Sequence, residues 1–262
     1  MSALVADRSA RARPHGDHLG ALKFLSVGRT DVGCVRKLNE DAFLDRPDLG
    51  LWAVADGMGG HEAGEIASAT VIEELGGVSS FRSAYAYRHA VCSALHEANA
   101  RLRGRGDQLG AGICGSTVAA LLVHQGHYAC VWAGDSRVYL YRDGEMRRLT
   151  RDHSVVQRMV DAGELSDAQA RVHQSSHVIT RAVGAAATLE LECIHGSVRA
   201  GDRFLLCSDG LSGLVSDGEI AAFLRRPPLE SSVDKMIGAA LARAAPDNVT
   251  AVLVAAESRE PR

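Results

Sequence analysis

The chain has 262 residues, of which 46% are apolar and 23% charged, with a formal net charge of -3. That is ample for a full core and gives no charge excess that would call for nucleic acid or an anionic membrane as partner. No stretch approaches the roughly 18 apolar residues of a membrane span and the N-terminus carries no apolar signal core, so the expected location is the cytoplasm.

Residues 1–20, which include SARARPHGDH, are polar, Arg-rich and broken by Pro14, Gly16 and Gly20, predicting a disordered leader. One folded domain is expected over residues 21–257, with 258–262 as a short tail. The runs LKFLSVG, AFLD and LWAVA read as strands. They precede two helical patterns, AGEIASATVIEEL (63–75) and FRSAYAYRHAVCSALHEANARL (81–102), each with apolar residues at three- and four-residue spacings. Next come STVAALLVH and HYACVWAG, separated by Gln125-Gly126, and then RVYLYR and EMRRLT, separated by Asp143-Gly144. Both pairs predict hairpins. A helix over 154–163 is followed by a polar, weakly periodic segment, about 164–186, that reads as a flap over a site or as a surface excursion. The strand DRFLLCS, helices over 216–226 and 231–244, and the strand NVTAVLVAA complete the chain. Antiparallel sheets covered by helices, an α+β arrangement, fit this order better than a βαβ repeat. The six cysteines, Cys34, Cys92, Cys114, Cys130, Cys193 and Cys207, form no Cys-x-x-Cys pair and are expected to be reduced core residues.

Four aspartates stand where strand-like runs stop or start: Asp56, Asp135, Asp209 and Asp247. Carboxylates gathered in an apolar neighbourhood lose their charge unless a cation compensates, so the pattern points to a divalent metal. In VADGMGGH, Gly57, Gly59 and Gly60 follow Asp56 and let a backbone carbonyl approach an ion that a Cβ would obstruct. Upstream, RKLNED sets Arg36, a guanidinium fork suited to phosphate, beside the acidic pair Glu40 and Asp41. Taken alone, such a charged run is ordinarily solvated surface.

The ordered set RKLNED, VADGMGGH, GICGSTVAALLV, AGDSRVYLY, LTRDHS, LLCSDGL and PDNVTAVLV resembles the metal-dependent protein Ser/Thr phosphatases of type 2C, in their bacterial form, over residues from about 25 to 255. The resemblance implies a four-layer sandwich, two central antiparallel β-sheets flanked by helices, with a two-metal centre at one end. Asp56 would bridge both ions and the Gly57 carbonyl would bind one. Asp209 and Asp247 would ligate one ion, Glu40 and Asp41 would hold metal-bound waters, and Arg36 would bind the substrate phosphate. Asp135 with Asp209 would form a weaker third site. The ligand set is all oxygen, which suits Mn²⁺ or Mg²⁺. A water between two cations would attack phosphorus directly, giving phosphoserine and phosphothreonine hydrolysis. Implied partners are phosphoprotein substrates, including a cognate Ser/Thr kinase and its targets.

Many eukaryotic members of that family have a His two residues after the bridging Asp, thought to protonate the leaving alkoxide; here the residue is Met58, whose thioether cannot donate a proton. A metal-bound water or the nearby His61 are the alternatives. His124 with His127, and His173 with His177, mimic zinc half-sites but read as surface histidines. Ser136 and Ser208 lack the surroundings of a hydrolase nucleophile and read as structural. Two other classes remain: a pseudophosphatase that binds a phosphoprotein without turnover, and a phosphatase of small phosphoesters on the same fold.

Overall fold

The computed structural model describes residues 22–59, 63–79, 81–109, 114–225 and 228–259. The expected leader and His61 lie outside these residues. Eleven strands build two sheets. The first contains β1 (Leu22–Asp31), β11 (Val249–Ser258), β10 (Arg203–Cys207), β7 (Arg137–Arg142) and β8 (Glu145–Arg148), in that spatial order. The second runs β2 (Asp41–Arg46), β3 (Leu51–Met58), β5 (Val118–His124), β6 (His127–Ala133) and β9 (Glu192–Ser197), with the two-residue β4 (Gly115–Ser116) pairing β3. Every pairing is antiparallel.

Strict alternation explains why the central strands look uniformly apolar. Along β3, Trp52 and Val54 enter the cluster between the sheets, whereas Leu51, Ala53 and Ala55 enter the cluster beneath α1 (Ala63–Gly76) and α2 (Ala84–Leu109). Along β11, Val252, Val254 and Ala256 face the other sheet, while Val249, Ala251 and Leu253 face α5 (Asp209–Ser212), α6 (Asp217–Leu224) and α7 (Leu229–Leu241). A strand covered on both faces needs apolar residues at every position. The result is helix, sheet, sheet, helix, the four layers expected. Each large side chain fully buried in these layers contributes about 1.5–3 kcal/mol. Between the sheets, Phe204 meets Tyr128 edge-on at 5.2 Å, and Phe24 tilts against Trp52 at 5.6 Å.

Both predicted hairpins form, with positive φ at Gln125 and Gly126 (47° and 76°) and at Asp143 and Gly144 (53° and 89°), the primed-turn geometry that matches strand twist. Serines cap some of the helix starts. Ser154 accepts from Gln157 N–H ahead of α3 (Val155–Asp161), and Ser216 and Glu219 close a capping box on α6. Three elements were not predicted. β9 is an edge strand whose only large apolar residue is Ile194, α4 (Asp167–Arg171) lies within segment 164–186, and α5 is a single turn at Asp209. Two sequence readings are corrected. Cys34 and Cys193 are exposed rather than in the core, and His124 is buried edge-on against Tyr87 rather than at the surface. No helix among the described residues is long and apolar enough to cross a membrane.

Candidate metal and phosphate site

At one end of the two sheets the strands deliver carboxylates from both sides. Asp41 opens β2 and is the direct cross-strand partner of Asp56 on β3. Asp209 begins α5, one residue beyond Ser208 at the end of β10, and Asp247 stands two residues before β11. Asp135 lies in the short connection between β6 and β7. Asp56 is therefore inside its strand rather than beyond its end. It is surrounded by the charges of Asp41, Asp209, Asp135 and Asp247, so these five sequence-separated residues do converge.

The electrostatic consequence is large. Burial, reinforced by the neighbouring carboxylates, holds the carboxyls of Asp56 and Asp135 well above the ordinary range and raises that of Asp209. Burial also pushes Asp41 up to about 7, against the pull of two hydroxyls: Ser208 Oγ and Thr250 Oγ1 donate to its Oδ2 at 2.7 and 2.6 Å. A set of this kind accommodates positive charge with little reorganisation. Among the described residues, no three His, Cys, Asp or Glu side chains gather closely enough to hold an ion alone. The converging donors are carboxylate oxygens, which fit a hard cation such as Mg²⁺ or Mn²⁺ better than zinc.

Gly57 and Gly64 allow the backbone beside Asp56 to close. A Cβ at Gly57 would lie 1.9 Å from the Gly64 carbonyl oxygen and 2.8 Å from that of Glu40, and one at Gly64 would lie 2.1 Å from Glu40 Oε1. With both as glycine, the start of α1 presses on β3, and Gly64 N–H reaches the Glu40 carboxylate. Burial raises Glu40 despite Arg36 nearby. Arg36 is half-exposed, donates to Asp247 Oδ2 at 2.9 Å and lies 3.9 Å from Glu40. Met58 closes β3 opposite Gly115.

Sequence reasoning passed over the residues that hold this set in place. Asn248 is buried, accepts from Glu40 N–H at 2.8 Å, and donates to the carbonyls of Val32 and Leu38 at 2.9 and 3.0 Å. Thr117 Oγ1 accepts from Asp56 N–H at 3.0 Å and meets Ser136 Oγ at 2.8 Å, linking the Asp56 strand to the Asp135 turn. His153 Nδ1 accepts from Gly134 N–H at 3.1 Å, while its Nε2 lies 3.2 Å from both Arg181 and Glu192. Ser136 and Ser208, read from the sequence as structural, make hydrogen bonds within this set, and Ser208 acts directly on Asp41. Their only sequence signal is adjacency to the aspartates.

A cavity of about 480 Å³ opens from Asp135, Asp209 and Asp247 beneath segment 164–186, with Ser176 and His177 on its wall. That segment is tied to the body by the Ser154–Ile179 and Ser116–Val183 bridges and an Arg171–Asp217 ion pair at 3.5 Å.

The family model described as Protein phosphatase 2C matches residues 35–254. The chain is 38% identical over 237 residues to the serine/threonine protein phosphatase PstP of Mycobacterium tuberculosis, covering 87% of this chain and 44% of that one. It therefore spans less than half the length of that relative. It is 31% identical to the serine/threonine phosphatase stp of Listeria innocua, covering 86% of this chain and 93% of that one. Among solved structures, PppA of Pseudomonas aeruginosa is similar with a TM-score of 0.84 and 40% identity, covering 89% of this chain and 97% of that one. The catalytic domain of PstP in complex with two manganese ions superposes with a TM-score of 0.80 and 36% identity, covering 90% of this chain and all of that one.

Proposed function

Because the chain belongs to the protein phosphatase 2C family, we propose that it is a metal-dependent phosphatase that removes phosphate from serine and threonine residues of proteins. The observation that carries this reading is the convergence of Asp41, Asp56, Asp135, Asp209 and Asp247 at one end of the sandwich with Arg36 at its rim. The two manganese ions of the PstP catalytic domain support a two-cation reading. Asp56, the Gly57 carbonyl, Asp209 and Asp247 would hold two Mn²⁺ or Mg²⁺ ions, and Asp135 with Asp209 a weaker third. Bound cations supply positive charge for the phosphoryl oxygens and acidity for the attacking water.

The chain's own residues do the rest. Glu40 and Asp41 would accept hydrogen bonds from waters around bound ions, and Ser208 and Thr250 fix the face that Asp41 presents. Arg36, displaced from Asp247, orients the phosphate with its fork of N–H donors. Met58 carries no transferable proton, so the leaving alkoxide takes one from water or from a group outside the described residues such as His61. The proposed partners are cytoplasmic phosphoproteins, including a Ser/Thr kinase and its targets. A binding-only role would be favoured by a missing carboxylate, and all are present.

The test is phosphate release from a phosphothreonine peptide with Mn²⁺, with chelator, and by Asp56→Asn. Release with Mn²⁺ that chelator and the substitution both abolish is the expected result. No release by folded, Mn²⁺-treated protein would leave the binding-only reading.

A further inference from the structure

Arg36 is the one Lys or Arg among the described residues that forms an ion pair with any of the five converging aspartates. Its Nη2 donates to Asp247 Oδ2 at 2.9 Å, its Nη1 lies 3.9 Å from Glu40 Oε2, and the charge of Asp56 also acts on it. Arg137, the other guanidinium near the carboxylates, is taken up by Asp152, which accepts from its Nε at 3.0 Å and its Nη2 at 2.6 Å. The group suited to phosphate thus sits on a carboxylate suited to a cation.

Asp247 cannot serve both at once. Its Oδ1 accepts from Asn248 N–H at 2.9 Å, so Oδ2 is the oxygen not engaged by that backbone bond, and it is the one Arg36 holds. A divalent ion on the same oxygen would stand close to a guanidinium of like charge and be repelled by it.

What can yield is the Arg36 side chain rather than its loop. Asn248 Nδ2 donates to the carbonyls of Val32 and Leu38 on either side of Arg36, Gly33 N–H donates to Asp31 Oδ1 at 2.8 Å, and Cys34 N–H donates to the Ala245 carbonyl at 2.8 Å. Because Asn248 also neighbours Asp247, loop and aspartate are fixed relative to each other. The Arg36 and Asp247 side chains are 48% and 39% exposed, so water screens their attraction and the pair parts at small cost.

We infer that Arg36 is an exchangeable counter-ion: it covers Asp247 until a cation takes that carboxylate, and the exchange frees its fork of N–H donors for the phosphate. The inference rests on the phosphatase reading and describes how that same site is loaded. Such linkage is reciprocal, so a phosphate that draws Arg36 away also opens Asp247 to the cation.

Isothermal titration of the full, chelator-stripped chain with Mn²⁺ tests it. Arg36→Gln and Arg36→Ala are compared with Lys37→Gln, which removes the same charge from the exposed neighbour without touching the pair. Both Arg36 variants are expected to bind Mn²⁺ about threefold more tightly than the parent, the scale of an exposed ion pair, with Lys37→Gln close to the parent. They should also need about tenfold more inorganic phosphate to inhibit p-nitrophenyl phosphate hydrolysis at saturating Mn²⁺, one charge-assisted hydrogen bond being lost. A residue that only shaped the site would weaken both ligands when removed, whereas here one affinity rises as the other falls. Arg36 variants that bind Mn²⁺ no more tightly than the parent, or a Lys37→Gln that tightens it equally, would overturn the inference. If that happens while the parent releases phosphate from a phosphothreonine peptide, the exchange alone fails. If the Mn²⁺-loaded parent releases none, the phosphatase reading fails and takes the inference with it.

Discussion

Ser208 donates its hydroxyl to Asp41 Oδ2 at 2.7 Å, joining residues 167 positions apart and on different sheets. The same oxygen accepts from Ser208 in the company of Thr250, and Ser208 Oγ in turn accepts from Thr250 N–H at 3.0 Å. Removing the hydroxyl leaves a buried carboxylate short of one charge-assisted bond, an interaction of about 1.5–3 kcal/mol. Ser208→Ala is therefore expected to weaken Mn²⁺ activation about tenfold while leaving KM for the phosphopeptide nearly unchanged. Activity against Mn²⁺ concentration checks it, with Ser208→Thr restoring most of the loss.

Cation binding should stabilise the parent chain and not Asp56→Asn. At a concentration a hundredfold above Kd, binding to the folded state alone contributes about 2.7 kcal/mol. The parent should therefore melt several degrees higher in Mn²⁺ than in chelator, and the variant should show little shift. Differential scanning fluorimetry with and without Mn²⁺ reads this apart from any turnover.

Asn248→Ala removes three hydrogen bonds at a buried position and leaves the Val32 and Leu38 carbonyls without that donor. At about 1 kcal/mol each, the loss is about 3 kcal/mol, measurable by urea unfolding. Limited proteolysis should cut the variant first in the loop at 32–39. An unchanged cleavage pattern would show that other contacts hold this loop.

His153 gives a pH dependence with a definite sign. Burial, with Arg181 adding to it and Glu192 opposing, lowers its pKa below the ordinary 6.5. The folded state therefore takes up the proton less readily than the unfolded chain, and the contribution is present above about pH 6.5 and lost as the pH falls through the lower folded value. Protonated Nδ1 would also face the Gly134 N–H it now accepts. His153→Gln should flatten the difference in melting temperature between pH 7.5 and 5.5 relative to the parent. A steeper dependence in the variant would contradict the assignment.

The strands and long helices were legible because their patterns are strong: β3, β5 and β11 carry the unbroken apolar runs LWAVA, VAALLV and AVLVAA, and α1 and α7 keep a helical spacing. β9 was not, since Glu192, Cys193, His195 and Gly196 carry no strand signal and the strand exists through its pairing with β6. The short turn α5 was hidden inside LLCSDGL, where the strand and the aspartate dominated the reading. In the site, the aspartates stood out because polar residues end apolar runs. Asn248, Thr250 and Ser208 did not, because what they do depends on the register of β10 against β11 and on the approach of the two sheets, neither of which leaves a local trace. Met58 was legible as a missing proton donor, yet its substitute is not.

The carboxylates are split between the sheets, Asp41 and Asp56 on one and Asp209 and Asp247 at the strand ends of the other. The apolar layer between the sheets, together with the Ser208 and Thr250 bonds to Asp41, fixes the gap across which an ion would be shared. Trimming Phe204 or Tyr128, at the far end of that layer from Asp56, should therefore appear as weakened Mn²⁺ affinity before any loss of helix or strand. The bound cation would work as a strain gauge for the interior, reporting how closely two slabs of protein are seated.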